Sequence, residues 1–175
     1  MAKLKKMLSD INAPYIVSLM RLIETQSKTT LANWSIDYAE EHILSIYESV
    51  YPADTRLREA LNAAREWLAG KTKLPAVKKL VLDAHAAARE AEEHPAAQAA
   101  ARTIGQAAAT VHTPTHALGL ALYGAMAVAY NRAGINEKPE VYERIAAEEC
   151  AKMEAALRAV SVPDEPNPAK INWNC

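Results

Sequence analysis

Two histidines, His112 and His116, have the spacing in this chain that points most directly to chemistry. On a continuous helix an i, i+4 pair places both imidazoles on one face, about 6 Å apart, which suits chelation of a divalent metal ion. A zinc site needs a third protein ligand, the glutamate of an H-E-x-x-H pattern is absent, and Pro114 interrupts the helix between the two rings. We therefore expect both rings to be hydrogen-bonded across a helix interface, with a metal site at His112 and His116 as the alternative.

Six polar residues are candidates for one interior cluster, because an ionisable side chain on a buried helix face must find a partner. They are His112, His116, His85, Asp37, Arg65 and Arg102. The expected role of the charged members is structural, as arginine–carboxylate bridges that set the register of neighbouring helices. The alternative is a cleft in which arginines clamp an anionic ligand. No catalytic residue and no cofactor are predicted, since the sequence has no Gly-rich phosphate loop, G-x-S-x-G elbow or paired-cysteine metal motif.

The histidine pair lies in a charge-free segment. The 29 residues between Arg102 and Arg132 include no Asp, Glu, Lys or Arg, and they are rich in Ala and Gly. Their fully apolar part, from Ala117 to Tyr130, is 14 residues long, whereas about 20 are needed to cross a bilayer. A buried helix or helical hairpin at the centre of the core is therefore predicted.

The composition favours a single all-α domain without a membrane or nucleic-acid partner. Half of the 175 residues are apolar, Phe is absent, and alanine, the best helix former, is abundant. The net charge of −1 provides no basic surface for nucleic acid or anionic lipid. Cys150 and Cys175 do not make a disulfide framework, and no apolar signal segment follows the basic start, so a cytoplasmic protein is expected.

Proline, glycine and capping residues predict the helix boundaries. We expect helices over about 14–26, 27–51, 54–70, 74–93, 95–113 and 139–161, with Asn12 and Ser27 as the first two N-caps. A further helix ends at Gly134, and Pro114 either begins it or kinks it away from the helix before. Together they form a bundle of about six to seven helices over residues 14–161. Residues 162–175 should be an extended tail that packs on this core, with Trp173 docked in a groove.

Several short motifs occur in an order that is similar to a known family. They are Trp34-Ser-Ile-Asp37-Tyr-Ala-Glu40, Asp54-x-Arg56-x-Arg58, Ala63-Ala64-Arg65-x-Trp67, Ala84-His85-Ala-Ala-Ala-Arg89, Ala100-Ala-Arg102-x-x-Gly105 and Thr110-x-His112-x-x-x-His116-Ala-x-Gly119. The series lies between Trp34 and Tyr130 and resembles the immunity protein 5-like family of bacteria. The chain departs from that pattern at Leu57, where proline is usual, at Gln106, where histidine is common, and at Pro114 within the histidine pair.

The resemblance implies a non-catalytic, all-α bacterial protein that binds a cognate toxin and so protects the producing cell. Exposed aromatic and acidic groups would form its interface, with Tyr15, Tyr38, Tyr47 and Tyr51 as candidates. The alternative function is a small-molecule- or metal-binding bundle, or an enzyme, built on the interior His/Asp/Arg cluster. Because Ala- and Gly-rich helix faces also permit close contact between subunits, a homo-oligomer is a further hypothesis.

Overall fold

The computed structural model describes residues 4–8 and 10–174, which contain helices and turns but no strand. The α-helices in chain order are α1 (Pro14–Ile23), α2 (Lys28–Tyr38), α3 (Leu44–Glu48), α4 (Arg56–Leu68), α5 (Leu74–Glu90), α6 (Pro95–Ala109), α7 (Ala117–Ala133) and α8 (Pro139–Val160). A π-helical turn, Ala39–Ile43, joins α2 to α3, and a 3₁₀ turn, Pro114–His116, precedes α7. Because α2, the π turn and α3 are continuous, the described part of the chain contains seven separate helices. The predicted all-α, single-domain bundle is confirmed.

Proline and glycine mark helix boundaries as predicted. Pro14, Pro75, Pro95 and Pro139 lie in the first turns of α1, α5, α6 and α8, where a backbone N–H would have no helical partner. Gly70 follows α4 with a φ of 71°, a left-handed conformation that glycine adopts without steric cost.

The first helix differs from its predicted boundaries. Its N-cap is Ala13 and not Asn12, and no side chain in the described part of the chain caps it. Asn12 lies one residue outside, in a turn where its N–H donates to Asp10 Oδ1 at 3.0 Å. The helix also ends at Ile23, so the buried Gln26 lies beyond it and its side chain is free to bind elsewhere.

The long helix predicted to start at Ser27 is present with one irregularity. Ser27 Oγ accepts the N–H of Thr30 at 3.2 Å and is the N-cap, as predicted. Residues 39–43 then form the π turn, and the helix continues only to Glu48. A π turn inserts an extra residue into the helical repeat, which hydrophobic periodicity does not reveal.

The Ala-rich helices α6 and α7 form the centre of the core, as predicted for the charge-free segment. Gly119 lies against Gln106 and Gly124 against Thr103, so the two helices run antiparallel at close distance. Most side chains of both helices are buried, and small residues are what allow this approach. Among the described residues, no helix combines the length and the apolar character required to cross a membrane.

The C-terminal tail lies against the turn between α1 and α2. Gln26 Oε1 accepts the N–H of Val162 at 2.8 Å, and the backbone oxygen of Gln26 accepts the N–H of Ala169 at 2.8 Å. Trp173 is half-buried, and its Nε1–H donates to Glu24 Oε1 at 2.7 Å. These contacts attach an irregular segment to the bundle without adding a helix.

Candidate functional site

Two of the predicted residues, His85 and Arg102, lie at the same face of α6. The His85 ring of α5 lies directly against Gly105: a Cβ atom at position 105 would be 2.6 Å from Cε1 and 2.9 Å from Nε2. Because Cβ atoms do not approach other atoms so closely, only glycine allows this position of the ring. Arg102 precedes Gly105 by one helical turn and so lies on the same face.

His116 reaches the same region through Gln106. His116 Nδ1 lies 2.7 Å from Gln106 Oε1. Since an amide oxygen only accepts, this contact places the ring proton on Nδ1 and leaves the Nε2 lone pair free in the neutral ring. Gly119 allows Gln106 this position, because a Cβ at 119 would lie 2.6 Å from Gln106 Cγ. Gly105 and Gly119 are thus both needed, because their missing side chains leave room for His85 and Gln106.

His112 lies beside His116 but not on the same helix. The two ring centroids are 5.7 Å apart and the planes are nearly perpendicular, at 78°. His112 Nδ1 is 2.8 Å from Thr113 Oγ1, and Pro114 begins the 3₁₀ turn between the rings. Among the described residues, no group of three His, Cys, Asp or Glu side chains is placed to hold a metal ion. We call His85, Arg102, Gln106, His112 and His116 the basic cluster.

The charged groups that act on the His85 and His112 rings are all basic. Burial is the main cause that lowers the pKa of His85, His112 and His116. At His85 and at His112 three further contributions to the lower pKa come from like charge, and His116 is one of the three in each case. The remaining basic groups that lower these pKa values are Arg102, Arg89, Lys78 and Lys28. The rings are therefore mainly neutral at neutral pH.

Arg102 is unusual among the half-buried arginines because no described residue pairs with it. Its Nε is shielded from solvent and makes no hydrogen bond within the described part of the chain. By contrast, Arg56 binds Glu90 at 2.6 Å, and Arg65 binds Glu40 at 2.7 Å. A buried donor without a partner costs about 1–3 kcal/mol, so the guanidinium of Arg102 is held at some cost to stability.

The structure places Asp37 and Arg65 apart from the basic cluster. Arg65 Nη2 binds Asp37 Oδ1 at 2.8 Å as well as Glu40 Oε2, and so joins α2 and the π turn to α4. The Asp37 side chain is 68% exposed. The six predicted residues therefore do not form one interior cluster, because this carboxylate projects from the edge of α2 into solvent, where the long arginine side chain of α4 reaches it.

Sequence reasoning missed a cavity of about 560 Å³ between the N-terminal segment, α1, α7 and the start of α8. Tyr15, Tyr130 and Tyr142 are among the residues that line it, and the last two rings meet edge to face at 5.1 Å. The charged residues among its described lining are Lys5, Asp10, Glu137 and Glu143. One feature of the sequence could have indicated this cavity, because all three tyrosines lie near helix ends beside turns. We call this space the tyrosine cavity.

Two tyrosines predicted to be at an interface are buried, so that prediction is wrong for them. Tyr38 OH donates to Glu149 Oε1 at 2.6 Å, and Tyr47 OH donates to Asp54 Oδ2 at 2.6 Å. Each hydroxyl is thus used to satisfy a carboxylate inside the bundle. Tyr51 is half-buried, and its ring packs on Tyr47 at 4.9 Å.

The carboxylate that Tyr38 binds is itself buried. Only 4% of the Glu149 side chain is exposed, and its Oε2 has no hydrogen-bond partner among the described residues. Nitrogens of Arg132 and Lys152 each lie 3.6 Å from Oε2, so they offset the negative charge of Glu149 without a hydrogen bond. Cys150 follows, and burial, with a further effect of Glu149, raises the pKa of its thiol to about 12.

Fold and site together define an all-α single-domain bundle with a basic cluster on one face and an acidic, tyrosine-lined cavity elsewhere. The model of the Imm-5 like putative immunity protein family matches residues 21–156. The chain therefore belongs to that family, as the motif order predicted. No curated protein and no solved structure matches the chain.

Proposed function

We propose that this protein is a non-catalytic immunity protein that binds and neutralises a cognate protein toxin. The observation that carries the proposal is the family match, which covers residues 21–156 and so includes most of the helical bundle. The arginines Arg56, Arg58 and Arg65 are bound to carboxylates of neighbouring helices, and we assign them a structural role.

We place the toxin contact at the tyrosine cavity. A volume of about 560 Å³ accommodates one or two large side chains of a partner. Partly exposed tyrosines are typical energetic centres of protein interfaces, because they offer a large apolar area and a polar tip. Tyr15 is such a residue: burial raises the pKa of its hydroxyl, and Glu143 and Asp10 contribute to the increase.

The charge of the cavity indicates the chemistry of the partner. Three carboxylates, those of Asp10, Glu137 and Glu143, and one cation, Lys5, are among the described residues that line it. A toxin segment with an apolar side chain flanked by Lys or Arg would complement this surface.

A competition experiment tests the function. A strain lacking the gene is grown together with its parent, which makes the toxin, and survival of the deleted strain is counted. We expect the deletion to reduce survival and the wild-type gene to restore it. Equal survival of both strains would refute the immunity function.

A matched pair of charge reversals tests the surface in the same assay. Glu143 and Glu148 are both exposed residues of α8, but only Glu143 lines the cavity. We expect the Glu148→Lys gene to restore survival and the Glu143→Lys gene to fail, with helical circular dichroism unchanged in both. Full restoration by Glu143→Lys would refute the cavity as the toxin contact while leaving the immunity function in place.

Two further proposals concern the state of the protein in the cell. We propose a cytoplasmic location, supported by a sequence with only two cysteines, of which Cys150 is buried as a free thiol.

A homo-oligomer also stays a proposal. The small-residue faces of α6 and α7 pack against each other within the chain, so subunit contacts would need another surface. Light scattering at several protein concentrations measures the assembly state.

A further inference from the structure

The basic cluster includes one cation with a buried nitrogen that has no hydrogen-bond partner among the described residues. Arg102 makes no hydrogen bond or ion pair with any described residue, and its Nε is buried. The carboxylates of neighbouring α5 are engaged elsewhere: Asp83 pairs with Lys79 at 3.0 Å, and Glu90 pairs with Arg56 at 2.6 Å. The described residues therefore hold this guanidinium in a half-buried position without pairing it with a carboxylate.

The rings of His85 and His116 are held in place by contacts that require specific residues, and His85 lies close enough to both Arg102 and His116 for their charges to lower its pKa. His85 is fixed against Gly105, and His116 is fixed by Gln106, which Gly119 accommodates. These residues come from α5, α6, the 3₁₀ turn and α7, so the tertiary structure and not a single helix assembles them. His85, Arg102 and His116 are each half-buried, so each keeps some contact with solvent.

We propose that His85, Arg102 and His116 form a binding site for an oxyanion of the phosphate class. A guanidinium donates in a planar fork that matches two oxygens of such an anion. Because His116 Nδ1 already binds Gln106, its free nitrogen is Nε2, which becomes a donor when the ring is protonated. This ligand goes beyond toxin binding, since the site does not include any residue of the tyrosine cavity.

Anion binding at this site is coupled to protonation of the rings. The groups that act on His85 and His112 are basic, namely Arg89 and Lys78 of α5, Arg102 of α6, His116 of the 3₁₀ turn and Lys28 of α2. They oppose a positive charge on the rings, and a bound anion would offset them. The pKa values of His85 and His116 should therefore rise when the anion is bound, and affinity should increase as the pH falls.

The test is a titration of the full-length protein with inorganic phosphate, followed by NMR of the histidine rings at constant ionic strength. Acetate is titrated in parallel to separate phosphate-class anions from simple carboxylates. We expect saturable shifts of the His85 and His116 resonances with phosphate, in the millimolar range or tighter. Acetate should give no saturable shift.

A pair of arginine variants locates the ligand. Arg102→Gln should weaken phosphate binding roughly tenfold or more, because it removes the ionic donor. Arg144→Gln is the matched control, since Arg144 is an exposed residue of α8 and loses the same charge. The wild-type titration decides the proposal even if Arg102→Gln does not fold. Absence of saturable phosphate shifts, saturation by acetate alone, or equal binding by a folded Arg102→Gln would each overturn it.

Discussion

Replacement of Gly105 by alanine tests directly whether the His85 ring lies where the structure places it. In an ordinary helix interior this substitution stabilises a protein by about 1 kcal/mol, because alanine has the higher helix propensity. Here the new Cβ would meet three ring atoms of His85, the nearest at 2.6 Å. Displacing a packed ring typically costs about 1–3 kcal/mol. We therefore expect Gly105→Ala to lower the free energy of unfolding by up to about 2 kcal/mol.

The effect of Gly105→Ala on the free energy of unfolding should change sign once the His85 ring is removed. In a His85→Ala background the three nearest obstructing atoms are gone, and the propensity gain of about 1 kcal/mol should appear as stabilisation. The two backgrounds should thus differ by about 1–3 kcal/mol, which is the coupling energy of a double-mutant cycle. Urea unfolding followed by helical circular dichroism measures all four proteins.

Gly70→Ala serves as the control for this cycle. Gly70 has a φ of 71°, and a Cβ there would meet no atom within 4 Å. Alanine at this position should therefore destabilise by about 1 kcal/mol through backbone strain alone, equally in both backgrounds. If Gly105→Ala also had the same effect in both backgrounds, the placement of His85 against α6 would be wrong.

Three further predictions concern the buried polar groups. Tyr38→Phe should lower the free energy of unfolding by about 1.5–3 kcal/mol, because it removes the hydrogen bond to the buried Glu149 carboxylate; urea unfolding measures this, and an unchanged midpoint would contradict it. Cys150, with a thiol pKa raised to about 12 by burial, should react with iodoacetamide only after unfolding, as peptide mass spectrometry can determine; rapid labelling of native protein would refute its burial. Hydrogen bonds from Arg56 lower the pKa of Asp54 from 3.8 to about 2 in the folded state. The ionised Asp54 therefore stabilises the folded protein by about 2 kcal/mol above pH 4, and this stabilisation is lost as the pH falls toward 2. Acid unfolding of Asp54→Asn should therefore be less steep in that window than that of the wild type, and identical slopes would contradict the prediction.

The helices were predictable because their boundaries depend on local chemistry. Proline lies at the start of α5, α6 and α8, and glycine follows α4. Each of these residues begins or ends a helix through its effect on the backbone of a single turn, so its position in the sequence is enough to predict the boundary. The π turn at 39–43 was not predictable in this way, because the apolar spacing of Ile36, Ala39 and Ile43 fits a regular helix as well.

The candidate site was predictable only in part. The small residues Gly105 and Gly119 and the histidines near them occur in one ordered set of motifs, and the structure brings them together. Asp37 is separate from these residues because it lies at another edge of α2, where it pairs with Arg65. The residue types alone do not predict this position. The tyrosine cavity depends on packing of the N-terminal segment, where Leu8 N–H donates to Leu122 O at 2.9 Å, and no local pattern encodes that contact.

Hydrogen exchange of the protein with and without the toxin against which it protects tests the central proposal most directly. If the toxin binds at the tyrosine cavity, backbone amides over residues 10–15 and 137–143 should exchange more slowly in the complex, while those of α4 and α5 should be unchanged. A toxin that forms no complex with the purified protein, or that slows exchange only at other helices, would contradict it.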